Sequence, residues 1–177
     1  MVIVLIIFII IVTILYNQLI REKNQVVNAF STVNVILKKR YELIPNLVDT
    51  VKAYAKYEQN VFESITTLRT KAISSKDSNE IITLDKDISD NIDKILLLAE
   101  DYPNLKASDN FLKLQKTLEN IEDELSAARR TYNAAVTEYN ISLESFPTNI
   151  IAKIFKMKKN ELFTIEDKSK NNIKINI

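Results

Sequence analysis

Residues 40–51 read RYELIPNLVDTV, and how this stretch is read decides the fold. Pro45 interrupts a pattern that is helical on both sides. A proline inside a helix removes a backbone donor and crowds the preceding turn, at roughly 3 kcal/mol. Either one helix ends here, or a longer helix absorbs the proline. Three features favour the second reading. A helix starting at Pro45 would take Ile44 as its N-cap, and isoleucine is among the poorest residues there. No Gly, Ser or Asp stands in RYEL to signal a turn. The apolar stripe Leu37, Tyr41, Ile44, Val48, Val51 also passes through without losing phase. The expectation is one helix running from the N-terminal apolar segment to about residue 73, kinked just before Pro45. The Tyr41 carbonyl then lacks its usual donor and must find another. Water would serve on the solvent side. On the bundle side, Arg129 or the amide of Asn133 is the expected donor, giving Pro45 and Arg129 a shared structural role.

Outward from this point the same periodicity continues. Val26, Phe30, Val33, Ala55, Phe62 and Ile65 extend the stripe in steps near three and four, the spacing of one buried helix face. SSKDSN (74–79) reads as a loop, and Asp77 with Glu80 resembles a capping box. A second helix carries Ile81, Leu84, Ile88, Ile92, Ile95 and Ala99 and stops at YPN (102–104). Ser108 is the N-cap expected for a third, which carries Phe111, Leu114, Leu118, Ile121, Leu125, Ala128, Tyr132, Ala135, Tyr139 and Leu143. FPTN (146–149) ends it, and IIAKIF (150–155) reads as a short final helix. No segment shows sustained strict alternation. The fold class is therefore all-α: an antiparallel bundle of three main helices plus a short C-terminal one, with Phe30, Leu37, Leu118 and Leu125 in its core. KSKNNIKINI (168–177) has no clear period and reads as a loose tail beyond a bundle of residues 21–167.

At the front, MVIVLIIFIIIVTILYNQLI (1–20) precedes the first charged side chain, Arg21. Twenty helical residues rise about 30 Å, the thickness of a bilayer's hydrocarbon core. A cleaved signal peptide would show a basic start, a shorter apolar region and a small-residue cleavage site. A buried core helix would rarely be this rich in Ile on every face. Residues 1–20 are thus read as an uncleaved transmembrane anchor, with Tyr16 at headgroup level. Arg21, Lys23, Lys38, Lys39 and Arg40 follow the span, so the positive-inside bias places a short N-terminus outside and the bundle in the cytoplasm.

Composition narrows the chemistry. The 177 residues include no Gly, Cys, His or Trp, and the formal net charge is +1. Thiol nucleophiles, Ser–His and Cys–His pairs and most zinc sites are excluded, and nothing signals nucleic-acid binding. The carboxylates Glu80, Asp85, Asp87, Asp90 and Asp93 interleave with Lys86 and Lys94, which suits a solvated helix face better than a calcium loop. Glu119, Glu122, Asp123 and Glu124 read the same way. Lys38-Lys39-Arg40 reads as a juxtamembrane basic cluster for topology and anionic lipid. Arg129 lies beside the buried stripe, where a structural ion pair or carbonyl contact is favoured over substrate binding.

YNQLI (16–20), VNAFSTVNVILKKRYELIPNLVDTVKAYAKYE (27–58), DYPNLKASDNFLKLQKTLENIEDELSAARRTYNAAVTEYN (101–140) and FPTNIIAKIF (146–155) together resemble the LemA family of bacterial membrane proteins. The resemblance covers about residues 16–167 and implies one N-terminal span, an all-helical bundle and no established enzymatic activity. The family usually has Gly around Lys156-Met157-Lys158, and here there is none; the Ile- and Asn-rich ending also departs from the usual one. Within the matching motifs, Arg40, Pro45, Asn46, Arg129, Arg130, Asn133 and Pro147 are candidates for structural or interaction roles. No catalytic residue, cofactor or metal is expected. The expected partners are the bilayer, through residues 1–20, and an unidentified membrane or cytoplasmic protein, with self-association as a further option. The leading functional expectation is a non-catalytic membrane-anchored scaffold. The alternative is a membrane-shaping or lipid-sensing protein acting through its juxtamembrane basic residues and self-association.

Overall fold

The computed structural model describes residues 1–163, so the expected loose tail at 168–177 lies outside the described residues. Six α-helices account for most of the chain, and there is no strand among the described residues. α1 spans Val2–Lys52 without interruption, and Pro45 lies inside it, exposed. At 51 residues it is a rod about 77 Å long. Its first part, through Ile11 and again at Ile14, exposes nearly every apolar side chain, whereas Leu19, Val26, Val33, Leu37, Tyr41, Ile44, Leu47 and Val51 are buried.

The expected helix to residue 73 is corrected. α1 ends at Lys52, residues 53–58 turn, and α2 (Gln59–Ser74) folds back. Nothing in AYAKYE breaks a helix, and the apolar spacing runs on through the turn because Ala55, Phe62 and Ile65 are all core residues. The break comes from the length of the partner. α5 (Asp109–Glu144) runs antiparallel to α1, with Lys39 level with Glu124 and Phe30 against Tyr132. Measured from that pairing, α5 runs out level with about residue 54 of α1. A straight helix beyond it would hold Phe62 and Ile65 in water, and folding back buries both.

α3 (Ser78–Leu98) pairs with α2, a 3₁₀ turn (Ala99–Asp101) and α4 (Pro103–Lys106) carry the chain across, and α5 returns along α1. Asp77 caps α3 as expected, its carboxylate accepting from the Asn79 N–H at 2.9 Å, while Glu80 accepts from the Ser75 hydroxyl instead of closing the box. Leu37, Leu118 and Leu125 are core residues; Phe30 is half-buried, its ring 5.6 Å from Tyr132 and 6.5 Å from Phe163. α6 (Thr148–Ile154) follows a cis Phe146–Pro147 bond and lies against the N-terminal part of α1. Leu19, Ile151 and Ala152 form a second small core there, with Val12, Leu15, Tyr16, Leu143 and Met157 around it.

After α6 the chain runs back along α5 to Phe163. Asn140 donates to the Asn160 carbonyl at 3.0 Å and accepts from its N–H at 3.1 Å. Asn133 does the same to Phe163, at 2.9 Å each way. Seven helical residues rise about 10.5 Å and three extended residues span about 10 Å, so two asparagines two turns apart match residues 160 and 163. Lys156, where the resemblance leads one to expect Gly, starts this return with φ 51°, the left-handed region that Gly enters at least cost.

The Tyr41 carbonyl does find a side-chain donor, but from a different residue than expected. Arg69 Nε on α2 donates to it at 2.8 Å. Arg129 and Asn133 are both engaged elsewhere. Arg69→Ala should cost about 1–3 kcal/mol by leaving this carbonyl without a donor. In a Pro45→Ala background the cost should fall, because the restored N–H at position 45 can serve the same oxygen. A double-mutant cycle by denaturant unfolding in detergent that shows no coupling would refute the pairing.

Candidate functional site

Four charged side chains from three helices meet where α1, α3 and α5 come together. Arg40 of α1 donates from Nη1 to Asp85 Oδ1 at 3.2 Å and to the Ser89 hydroxyl at 2.9 Å. Arg129 of α5 reaches the other carboxylate oxygen of Asp85 through Nη2. Glu122 closes the ring, 3.0 Å from Arg129 Nη1 and 3.2 Å from Arg40 Nη2. Asp85 is 2% exposed and Arg40 6%. Ions this far from water persist only when paired and hydrogen-bonded, and here two guanidiniums face two carboxylates. Burial pushes the Asp85 carboxyl upward from its ordinary value, against the pull of Arg129 and Arg40. The Tyr41 phenol beside them is pushed upward too, by burial first and the Asp85 charge second. Its hydroxyl has no hydrogen-bond partner among the described residues.

Two sequence readings are corrected here. Asp85 is buried and does not belong to a solvated acidic face, and Glu122, half-exposed, is held by two arginines. A usable signal was present, because each of the four charges holds a place in a buried stripe: Leu37–Arg40–Ile44, Ile81–Asp85–Ile88, Leu118–Glu122–Leu125 and Leu125–Arg129–Tyr132 are all spaced by threes and fours. A charge in register with a stripe requires an opposite charge in register on a facing helix. The Lys38-Lys39-Arg40 cluster is also corrected as a lipid contact. Arg40 is in the core, Lys39 pairs with Glu124 at 3.3 Å, and an unbroken α1 carries all three about 27 Å beyond residue 20.

The other candidate residues disperse. Arg129 forms the ion pairs just described and lies 5.6 Å from the centre of the Phe163 ring, in cation–π geometry. Arg130 is exposed and donates to the Ser126 hydroxyl at 3.2 Å. Asn46 is exposed, its carbonyl accepting from Thr50 Oγ1 at 2.6 Å. Asn133 clamps Phe163, and Pro147 is the N-cap of α6.

The quartet forms the base of an open cleft. α3 and α5 scarcely approach each other, since each packs on a different neighbour. The space between them is about 700 Å³, with walls from α3, α5 and residues 161–163. Ile82, Ile92, Leu96, Leu118, Leu162 and Phe163 supply its apolar surface. Seven carboxylates line it (Asp85, Asp90, Asp93, Glu119, Glu122, Asp123, Glu161) against three cations, Arg40, Lys86 and Arg129. Both arginines are already committed to Asp85 and Glu122, so the cleft is amphipathic and acidic.

A model described as the LemA family matches residues 29–177. The chain belongs to the LemA family. It is 29% identical to Protein LemA of Metamycoplasma hominis over 138 residues, covering 77% of this chain and 63% of that protein. It is 22% identical to Magnetosome protein MamQ 2 of Paramagnetospirillum magneticum, over 84% of this chain and 64% of the relative. Magnetosome protein MamQ of Magnetospirillum gryphiswaldense is 20% identical, over 75% and 58%. The chain thus spans less than two thirds of the length of the curated relatives it matches. Family membership and an exposed helix long and apolar enough to cross a bilayer identify a membrane-associated protein.

Asp85→Ala should destabilise by about 3–5 kcal/mol, because it leaves Arg40 and Arg129 undercompensated in a buried site. Replacing all four charges with Met, Leu or Gln of similar volume should cost much less than the single change. Thermal melts of the detergent-solubilised chain check this, and a quadruple variant less stable than Asp85→Ala would contradict it.

Proposed function

We propose that this protein is a non-catalytic scaffold, anchored by α1 with its N-terminus outside and the bundle in the cytoplasm, that holds a partner through the cleft between α3 and α5. The observation that carries the proposal is the state of the cleft's charges. The groups best placed for chemistry, Asp85 and Glu122, are committed to two arginines and to the packing of three helices. A carboxylate used as a base, nucleophile or metal ligand needs a free lone pair facing its substrate. What remains exposed is an apolar trough rimmed by Asp90, Glu119, Asp123 and Glu161.

That chemistry fits a cationic amphipathic helix, with its apolar face on Ile82, Leu96 and Leu162 and its Lys or Arg residues toward the rim. Orientation with the bundle inside is supported by Arg21 and Lys23 directly after the span, and by exposed Lys153, Lys156 and Lys158 brought to the same end by α6.

A synthetic amphipathic helix bearing Leu and Lys at i,i+3 and i,i+4 should bind the detergent-solubilised chain with micromolar affinity that weakens as salt rises. Asp90→Lys with Asp123→Lys should weaken it at least tenfold, an expected loss of about 1.4 kcal/mol or more. Equal binding of an acidic peptide of the same apolar pattern, or no effect of the charge reversals, would overturn the reading.

A further inference from the structure

We propose that α6 and the residues flanking it form a second membrane-contacting element, lying in the bilayer interface and selecting anionic headgroups. This rests on the reading that α1 enters a bilayer, and it adds a surface that α1 alone does not supply. α6 is docked directly on the anchor. Ile151 and Ala152 bury against Leu19, with Val12, Leu15 and Tyr16 of α1 around them. The Phe155 ring lies 4.6 Å from that of Tyr16. The contact covers α1 from residue 12 to residue 19, about 10 Å of its rise. If Val2–Leu19 crosses a bilayer, α6 therefore sits within the leaflet on the bundle side, at the depth an interfacial amphipathic helix takes.

The outward face of α6 has the composition this depth requires. Phe146 is 80% exposed, Ile150 50%, Ile154 66% and Phe155 52%. Four large apolar side chains this exposed around a seven-residue helix would be costly in water, and they are continuous with the apolar side chains exposed along the first part of α1. Around them lie the exposed cations Lys153, Lys156, Lys158 and Lys159, with Arg21 and Lys23 on α1 beside them. Lys159 pairs with Glu144, and Lys153, Lys156 and Lys158 are exposed within the same segment. Apolar insertion with a basic rim is the pattern that recognises an anionic lipid surface. Anionic lipid, not a second protein copy, is the assigned occupant because this patch is continuous with the spanning segment and the exposed lysines and arginine around it outnumber the nearby carboxylates Glu22 and Glu144.

The chain has no cysteine, so single probes can be placed cleanly. An environment-sensitive fluorophore would be attached at Ile154→Cys, at Ile6→Cys within the span, and at Leu112→Cys at the far end of α5. Each full-length variant would be reconstituted into phosphatidylcholine vesicles, with or without phosphatidylglycerol, containing lipids spin-labelled near the headgroup. Position 154 should be quenched several-fold more than position 112, and more strongly when phosphatidylglycerol is present. Lys153→Glu with Lys158→Glu should remove that lipid dependence. Quenching at 6 but not at 154 would overturn the α6 proposal and leave the anchor standing. No protection from water at position 6 would overturn both. Disulfide-linked dimers of Ile154→Cys with no lipid quenching would assign the patch to a second copy and overturn the proposal.

Discussion

Antiparallel pairing of α1 with α5 is the constraint on which the rest of the structure depends. α1 is a single rod that begins in an exposed apolar segment and ends deep in the bundle. A helix that long can bury its stripe only along a partner of comparable length, and α5, at 36 residues, is the partner. Where α5 stops, α1 must stop, so the chain turns at 53–58 despite a sequence with no local break. The shorter α2–α3 hairpin then packs onto the part of α1 far from the apolar end. Because α5 runs back toward that end, it delivers α6 to the side of the exposed apolar segment.

The ion-paired quartet sits where side chains of α1, α3 and α5 meet, with Asp85 and Arg40 buried and Glu122 half-exposed. Arg40, Asp85 and the Glu122–Arg129 pair come from three separate helices, and both arginines grasp Asp85 and Glu122 alike. Buried ion pairs are weak contributors to stability and strong discriminators of register, since a one-turn slip of any helix would separate them. In an all-helical bundle with coiled-coil-like apolar spacing, sliding by a turn would otherwise cost little. The quartet is thereby structural, and the acidic cleft lies above it. Tyr41 links the two constraints. Its carbonyl takes the Arg69 bond that Pro45 makes necessary, and its ring packs beside the quartet.

Residues 157–163 are not helical and run along α5, held by side-chain amides in place of a backbone ladder. Asn133 and Asn140 each offer a donor and an acceptor to one residue of the returning chain, and Tyr132 adds a hydroxyl bond to the Glu161 carbonyl at 3.0 Å. These bonds bring Phe163 into the core against Tyr132 and under Arg129. One wall of the cleft is built by this return, which places a C-terminal stretch beside two distant helices.

The sequence by itself determined the helical class, the exposed apolar segment, the continuity of the helix through Pro45 and most of the core, because these follow from the spacing of apolar residues along a single helix. The sequence pattern also required a donor for the Tyr41 carbonyl, since a proline's missing N–H is a local fact. Only the tertiary structure decided that the donor is Arg69, that α1 ends at Lys52, and that Asp85 and Glu122 meet Arg40 and Arg129. Each of these depends on which helix lies opposite, and periodicity within one helix carries no information about its neighbour's length or register. The docking of α6 on the N-terminal part of α1 belongs to the same class. Leu19 and Ile151 are more than a hundred residues apart, and their contact exists because α5 is long enough to bring the chain back.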